Sequence, residues 1–172
     1  VIRALLAVLA ALTLASCAAE AQQEEAPSAP ALELTGRVVD AAEILSPACE
    51  RRLTGRLARL EKETLVQLVV ATTPDLGGRD IAAYSLDLVN AWGLGDAQRK
   101  DGLLLLVAPN ERKVRIEVGR GLEVTVRDED AAAIIRDAIL PHFREGDFEG
   151  GVEAAVEDLA HEVAPIPMKE AA

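Results

Sequence analysis

Aromatic residues are scarce in this chain of 172 residues: they make up 2% of it, as one Trp, one Tyr and two Phe. So few rings exclude a base-stacking platform for single strands and disfavour a carbohydrate-stacking groove. Basic residues are outnumbered, with 18 Lys and Arg against 29 Asp and Glu, a net charge of −11. No basic excess is left to displace counterions from a phosphate backbone, which excludes nucleic acid as the main partner. The two cysteines cannot build a four-thiolate zinc site. No G-x-S-x-G nucleophile elbow occurs. No repeat of roughly 20–50 residues is visible, which disfavours a solenoid.

The histidines and the second thiol offer little to conventional catalysis. His161 sits between Leu159 and Val163 on the polar face of the last helical pattern, and His142 follows Pro141 near a helix end. Both read as surface or capping residues. Cys49 lies early in an amphipathic pattern and reads as a small packing residue. Gly119-Arg120-Gly121 lacks the third glycine and the strand-to-helix setting of a dinucleotide fingerprint.

What is present begins with a targeting signal. Arg3 precedes an apolar run from Ala4 to Ala15, broken only by Thr13. The run is shorter than the roughly 20 residues of a spanning helix and has the order of a secretory signal. It ends Leu14-Ala15-Ser16-Cys17, which resembles a bacterial lipobox. Residues 1–16 are therefore expected to be a signal peptide, with Cys17 lipidated and anchoring the chain in the membrane. Residues 17–33 are acidic, with Pro and Ala, and read as a flexible tether. The folded domain is expected over residues 34–164 and a loose tail over 165–172. Export across the inner membrane follows, with a periplasm-facing position, at the outer membrane in a Gram-negative host.

From Leu34 onward short apolar runs alternate with helical patterns. Strands are expected at Gly36–Asp40, Leu65–Thr72, Gly102–Ala108 and Lys113–Val118. The last two flank the turn Pro109-Asn110-Glu111-Arg112 and pair as a hairpin. Leu122–Val126 reads as a short strand or an extended connection. Helices are expected after Ser46-Pro47, after Asp80, from Asp128 to a stop at Pro141, and after Gly146-Asp147. The sum is an α/β fold: a mixed-sheet sandwich of about four strands with about four flanking helices.

The acids carry the strongest chemical hint. Asp40 ends the first strand and Asp101 precedes the third. The hairpin brings Asp101 near Glu117, Gly119 and Gly121, and Glu123 and Asp128 leave the same edge. Converging carboxylates suit a hard cation, calcium first and magnesium or manganese next, and glycines let backbone approach a ligand. The plainer account is that Asp128 and Asp147 are helix caps.

Several motifs together carry a family resemblance. Gly36-Arg37-Val38-Val39-Asp40 with Leu45-Ser46-Pro47, Asp101-Gly102-Leu103-Leu104-Leu105-Leu106-Val107-Ala108, Arg115 through Glu123, and Phe143 through Gly151 resemble the TPM domain in that order. The chain departs at Ala41, where the family often has Asn, and at Lys100-Asp101-Gly102, where it often has Asp-Asn-Gly. The resemblance implies a Rossmann-like α/β sandwich and an acidic divalent-cation site. Carried over by position, that site falls on Asp40, Asp101 and Asp128, with Glu117, Gly119, Gly121, Glu123 and Asp147 as supporting or structural residues. It implies a membrane-anchored envelope module that contacts other envelope proteins in their maintenance or assembly. The alternative it implies is a metal-dependent acid phosphatase, for which Arg115 and Arg120 are the nearby cations.

Overall fold

The computed structural model describes residues 32–164. The signal, Cys17, most of the tether and the tail from residue 165 lie outside them. Among the described residues no helix is long and apolar enough to cross a membrane.

Four strands form one sheet in the order β1 (Val38–Asp40), β2 (Gln67–Thr72), β3 (Gly102–Ala108), β4 (Lys113–Val118). The first three run parallel, and β4 returns antiparallel to β3. Every residue of β3 is buried, as its unbroken apolar run requires of a strand covered on both faces. In β4 the alternation resolves as expected: Ile116 enters the core, while Arg115 and Glu117 turn to the other face.

Helix α1 (Pro47–Thr64) starts where Ser46 Oγ accepts the Cys49 N–H and Pro47 occupies the first turn. It buries Leu53, Leu57 and Leu60. Helix α2 (Ile81–Trp92) is capped by the Asp80 carboxylate, which accepts the Ala82 and Ala83 N–H groups. Helix α5 (Phe148–Glu162) buries Val152, Val156 and Leu159.

Two expectations are corrected between them. Leu122–Val126 is neither strand nor extended. It is a pair of turns in which the Val126 N–H reaches the Leu122 carbonyl and both side chains enter the core. The third helix does not stop at Pro141. It begins as α3 (Asp128–Ala133), widens to a π-helical segment (Ile134–Ile139), and resumes as α4 (Leu140–Arg144). Pro141 has no N–H to donate, and the N–H of Leu140 reaches back five residues to Ile135. The wider turn accommodates the proline inside the helix.

Helices α1, α5 and the α3–α4 arm cover one face, against Leu68, Val70, Leu103, Leu105 and Val107. Helix α2 covers the other, against Val69, Ala71, Leu104 and Leu106. Both parallel crossovers step the same way across the sheet but over opposite faces. They are therefore of opposite hand, so one departs from the usual right-handed rule. The chain therefore leaves β1 and β2 toward opposite faces of the sheet.

Candidate functional site

Asp40 ends β1, level with Thr72 of β2 and Val107 of β3. Its Oδ1 accepts the Thr72 hydroxyl and the Ile44 N–H, and its Oδ2 accepts the Leu45 N–H at 2.8 Å. Thr72 Oγ1 in turn accepts the Ala42 N–H at 3.0 Å. The strand-ending acid thus organises the whole β1–α1 loop.

Asp101 is at the opposite end of the sheet, because it precedes a strand that runs parallel to the one Asp40 ends. The expected gathering of Asp40, Asp101 and Asp128 at one edge does not occur. Asp101 is buried, accepting the Asp96 N–H at 2.8 Å and pairing with the Arg99 guanidinium. Burial pushes its carboxyl up, but the Asp96 N–H and Arg99 outweigh that and hold it below the usual carboxylate range. Asp128 and Glu123 are exposed on the segment that follows β4. Glu117 accepts the Ser85 hydroxyl at 2.8 Å and pairs with Arg115 at 3.0 Å.

Gly119 and Gly121 lie beside Asp101 as the hairpin demands, with Gly119 N–H to Gly102 O and Gly121 N–H to Lys100 O. Their role is close backbone packing. A Cβ on Gly121 would stand 1.8 Å from the Arg99 carbonyl oxygen, and one on Gly119 2.3 Å from that of Lys100. Asp147 caps α5: Oδ1 accepts the Gly150 N–H and Oδ2 meets His142 Nδ1 at 2.7 Å. The Gly150 N–H first, then His142, hold its carboxyl below the ordinary value. Among the described residues no three His, Cys, Asp or Glu side chains come together as a metal-holding group. The three aspartates carried over from the resemblance do not fit one cation, since Asp101 already has its guanidinium.

The feature that sequence reasoning missed lies at the carboxyl end of β3. A groove of about 500 Å³ opens between the β3–β4 turn and the corner joining α4 to α5. Its apolar wall includes Val107, Val114, Leu140, Phe143 and Phe148. Phe143 and Phe148 meet edge to face, their centroids 4.9 Å apart. Both phenylalanines of the chain are therefore spent on this one corner. Gly151 makes the corner possible, because a Cβ there would lie 2.6 Å from the Phe143 ring.

Arg112, Lys113 and Arg144 stand exposed around this wall. Among the described residues none of the three makes a salt bridge or side-chain hydrogen bond, unlike Arg37, Arg79, Arg99 and Arg127. A second groove, between α1 and α5, also has arginines, but it is lined by acids as well: Glu153 and Glu157 engage Arg52 and Arg56, while Arg51 and Arg59 stand unpaired among the described residues. The signal for the first groove was present as two Phe in one glycine-rich motif. Its union with the distant β3–β4 turn was not.

Comparison with known proteins agrees with this architecture. A family model for the TPM domain matches residues 38–162. No curated protein matches the chain. Among solved structures, the N-terminal domain of a P. gingivalis protein is 34% identical, with a TM-score of 0.70 over 75% of this chain and 82% of that one. The N-terminal domain of a Corynebacterium glutamicum protein is 18% identical, with a TM-score of 0.61 over 81% and 85%. The BA42 protein of the psychrophile Bizionia argentinensis is 21% identical, with a TM-score of 0.62 over 70% and 82%. The match spans β1 to the end of α5, taking in each motif whose geometry is described above, and the chain belongs to the TPM domain family.

Proposed function

We propose that this TPM domain works by binding: it is an envelope module, held to the membrane through a lipid on Cys17, that recognises other envelope proteins with the carboxyl end of its sheet. The observation that carries this reading is the groove at β3–β4 and α4–α5, where an apolar wall and three unengaged cations face outward. No hydroxyl or thiol nucleophile is among the residues lining it. A photo-crosslinking side chain at Asn110, exposed on the neighbouring turn, tests it in expressing bacteria. Protein adducts should form at Asn110 and not at Lys62, exposed on the last turn of α1. Equal or absent adducts at both positions reject the reading.

For the divalent cation that the resemblance implies, we keep one position, Asp40, because it lies where adjacent loops part. Calcium titration followed by NMR should shift the amides of residues 40–45 and Thr72, and Asp40→Asn should abolish the shifts. Asp101→Asn, whose partner is Arg99, should leave them intact. Absence of shifts in the parent ends the cation reading. The second reading, a metal-dependent phosphatase, draws support from the same three cations, which suit phosphoryl oxygens. It requires hydrolysis of a phosphate ester that rises with the cation and falls in Arg112→Gly.

A further inference from the structure

We infer that the β3–β4 and α4–α5 groove takes an acidic peptide segment carrying a large apolar side chain, the side chain lying between Phe143, Phe148 and Val114 and its flanking carboxylates meeting Arg112, Lys113 and Arg144. This rests on the reading of the domain as a protein-binding module and names the chemistry of the partner.

Charge complementarity decides the class of occupant. The chain carries −11 overall, yet the rim of this groove is basic and has no acidic residue among those lining it. Other arginines are paired, as Arg115 with Glu117 and Arg136 with Asp137. Arg51, Arg59 and Arg120, unpaired among the described residues, line grooves that also hold Glu153 and Glu157 or Asp96 and Glu117. Cations left without partners around an apolar wall are complementary to a ligand with both characters. A free inorganic anion would gain nothing from Phe143, Phe148, Leu140 and Val107. A purely apolar ligand would gain nothing from the cations. A groove of about 500 Å³ has room for two or three side chains, not for an extended surface.

Arg112 adds an independent observation. Its N–H closes the turn onto the Pro109 carbonyl, and its φ is +54°, in the left-handed region that favours glycine or asparagine. An arginine is thus held where the backbone alone would prefer glycine. The side chain has no partner among the described residues that would repay that strain. Glu43, Leu65 and Lys100 share a positive φ, and of the four Arg112 is the one that lines this groove.

The test uses residues 32–164 only within the full chain, made as the soluble Cys17→Ser protein. The probe is a capped hexapeptide, Glu-Asp-Phe-Asp-Leu-Glu, followed by NMR and fluorescence anisotropy. Sub-millimolar binding is expected, with shifts confined to residues 107–114 and 140–151. Exchanging the acids of the peptide for lysine, or Phe and Leu for serine, should each abolish it. Raising salt should weaken it, because the rim charges are exposed. Arg112→Gly and Arg144→Gln should each weaken it roughly two- to fivefold, the range of exposed ion pairs. Arg112→Gly should do so with a Tm unchanged or raised, which no loss of folding can mimic.

Equal binding of the lysine peptide, shifts outside the groove, or no binding at millimolar peptide overturns the inference. So does attachment to phosphatidylglycerol vesicles without peptide binding, which would make the groove a lipid-headgroup site. If the peptide fails while crosslinks at Asn110 persist, the partner chemistry is wrong and the binding module stands. If both fail, the module reading goes with it.

Discussion

Single side chains in this protein are tuned for structure in ways that solution chemistry can read. Cys49 is fully buried, and its thiol is pushed up to about 12, first by burial and then by its hydrogen bond to Glu153. A thiol so rarely ionised is a poor nucleophile. In the Cys17→Ser protein, Cys49 should resist iodoacetamide at pH 8 and react on unfolding; modification of the native protein at the rate of a free thiol would contradict the burial. Asp101 makes the opposite case. Its folded carboxyl is held below its ordinary value of 3.8. A depressed acid stabilises the fold above its unfolded pKa, and that contribution is lost as pH falls through the folded value. Asp101→Asn should cost about 1.5–3 kcal/mol near pH 6, the worth of a hydrogen bond to a charged group. The gap should begin to narrow below about pH 4 and close as pH falls through the lower folded value. A constant gap from pH 6 to pH 3 would show that the charge is not what stabilises.

At the scale of elements, the turns after β4 depend on close backbone approach, and the α4–α5 corner on close approach together with the Asp147 carboxylate. Gly121→Ala drives a methyl group into the Arg99 carbonyl, so the backbone itself has to move. Gly151→Ala meets the Phe143 ring, which can swing aside. Both should destabilise, Gly121→Ala more strongly, within the roughly 1–3 kcal/mol of overpacking and beyond it where backbone shifts. Thermal unfolding gives the ranking. NMR adds a distinction: Gly151→Ala should perturb the ring signals of Phe143 and Phe148, and Gly121→Ala should not. The π-helical segment belongs to the same account. It carries the helix past Pro141 and sets the phase at which Phe143 reaches the groove.

For the whole molecule, the central strand decides folding. Leu105 is fully buried in β3, between β2 and β4. Leu105→Asp places an unpaired carboxylate there, at a cost of several kcal/mol against a total stability of about 5–15 kcal/mol. It should show no cooperative native transition, and a native melting curve would make the strand peripheral. Placement in the cell is a separate property of the whole chain. Cys17→Ser should move the protein from the membrane to the soluble fraction of expressing bacteria; unchanged fractionation removes the lipid anchor from the proposed function.

Local periodicity by itself determined most of the architecture. The apolar run of β3, the alternation Val114-Ile116-Val118 in β4 and the inward faces of α1, α2 and α5 are each set by side-chain spacing along a few turns or residues, and the TPM motifs lie on those elements. The chain also made plain that Asp101 must neighbour Gly119 and Gly121, since a hairpin is a local object. What only the tertiary structure decided is non-local. Which end of the sheet holds Asp40 depends on the parallel sense of β1 and β3, which spacing does not encode. Whether Pro141 stops a helix depends on whether packing will support a wider turn in its place. The groove exists because Arg112 and Lys113 from one turn and Phe143, Arg144 and Phe148 from another meet across the core. Each residue reads as ordinary surface until folding brings the two turns together.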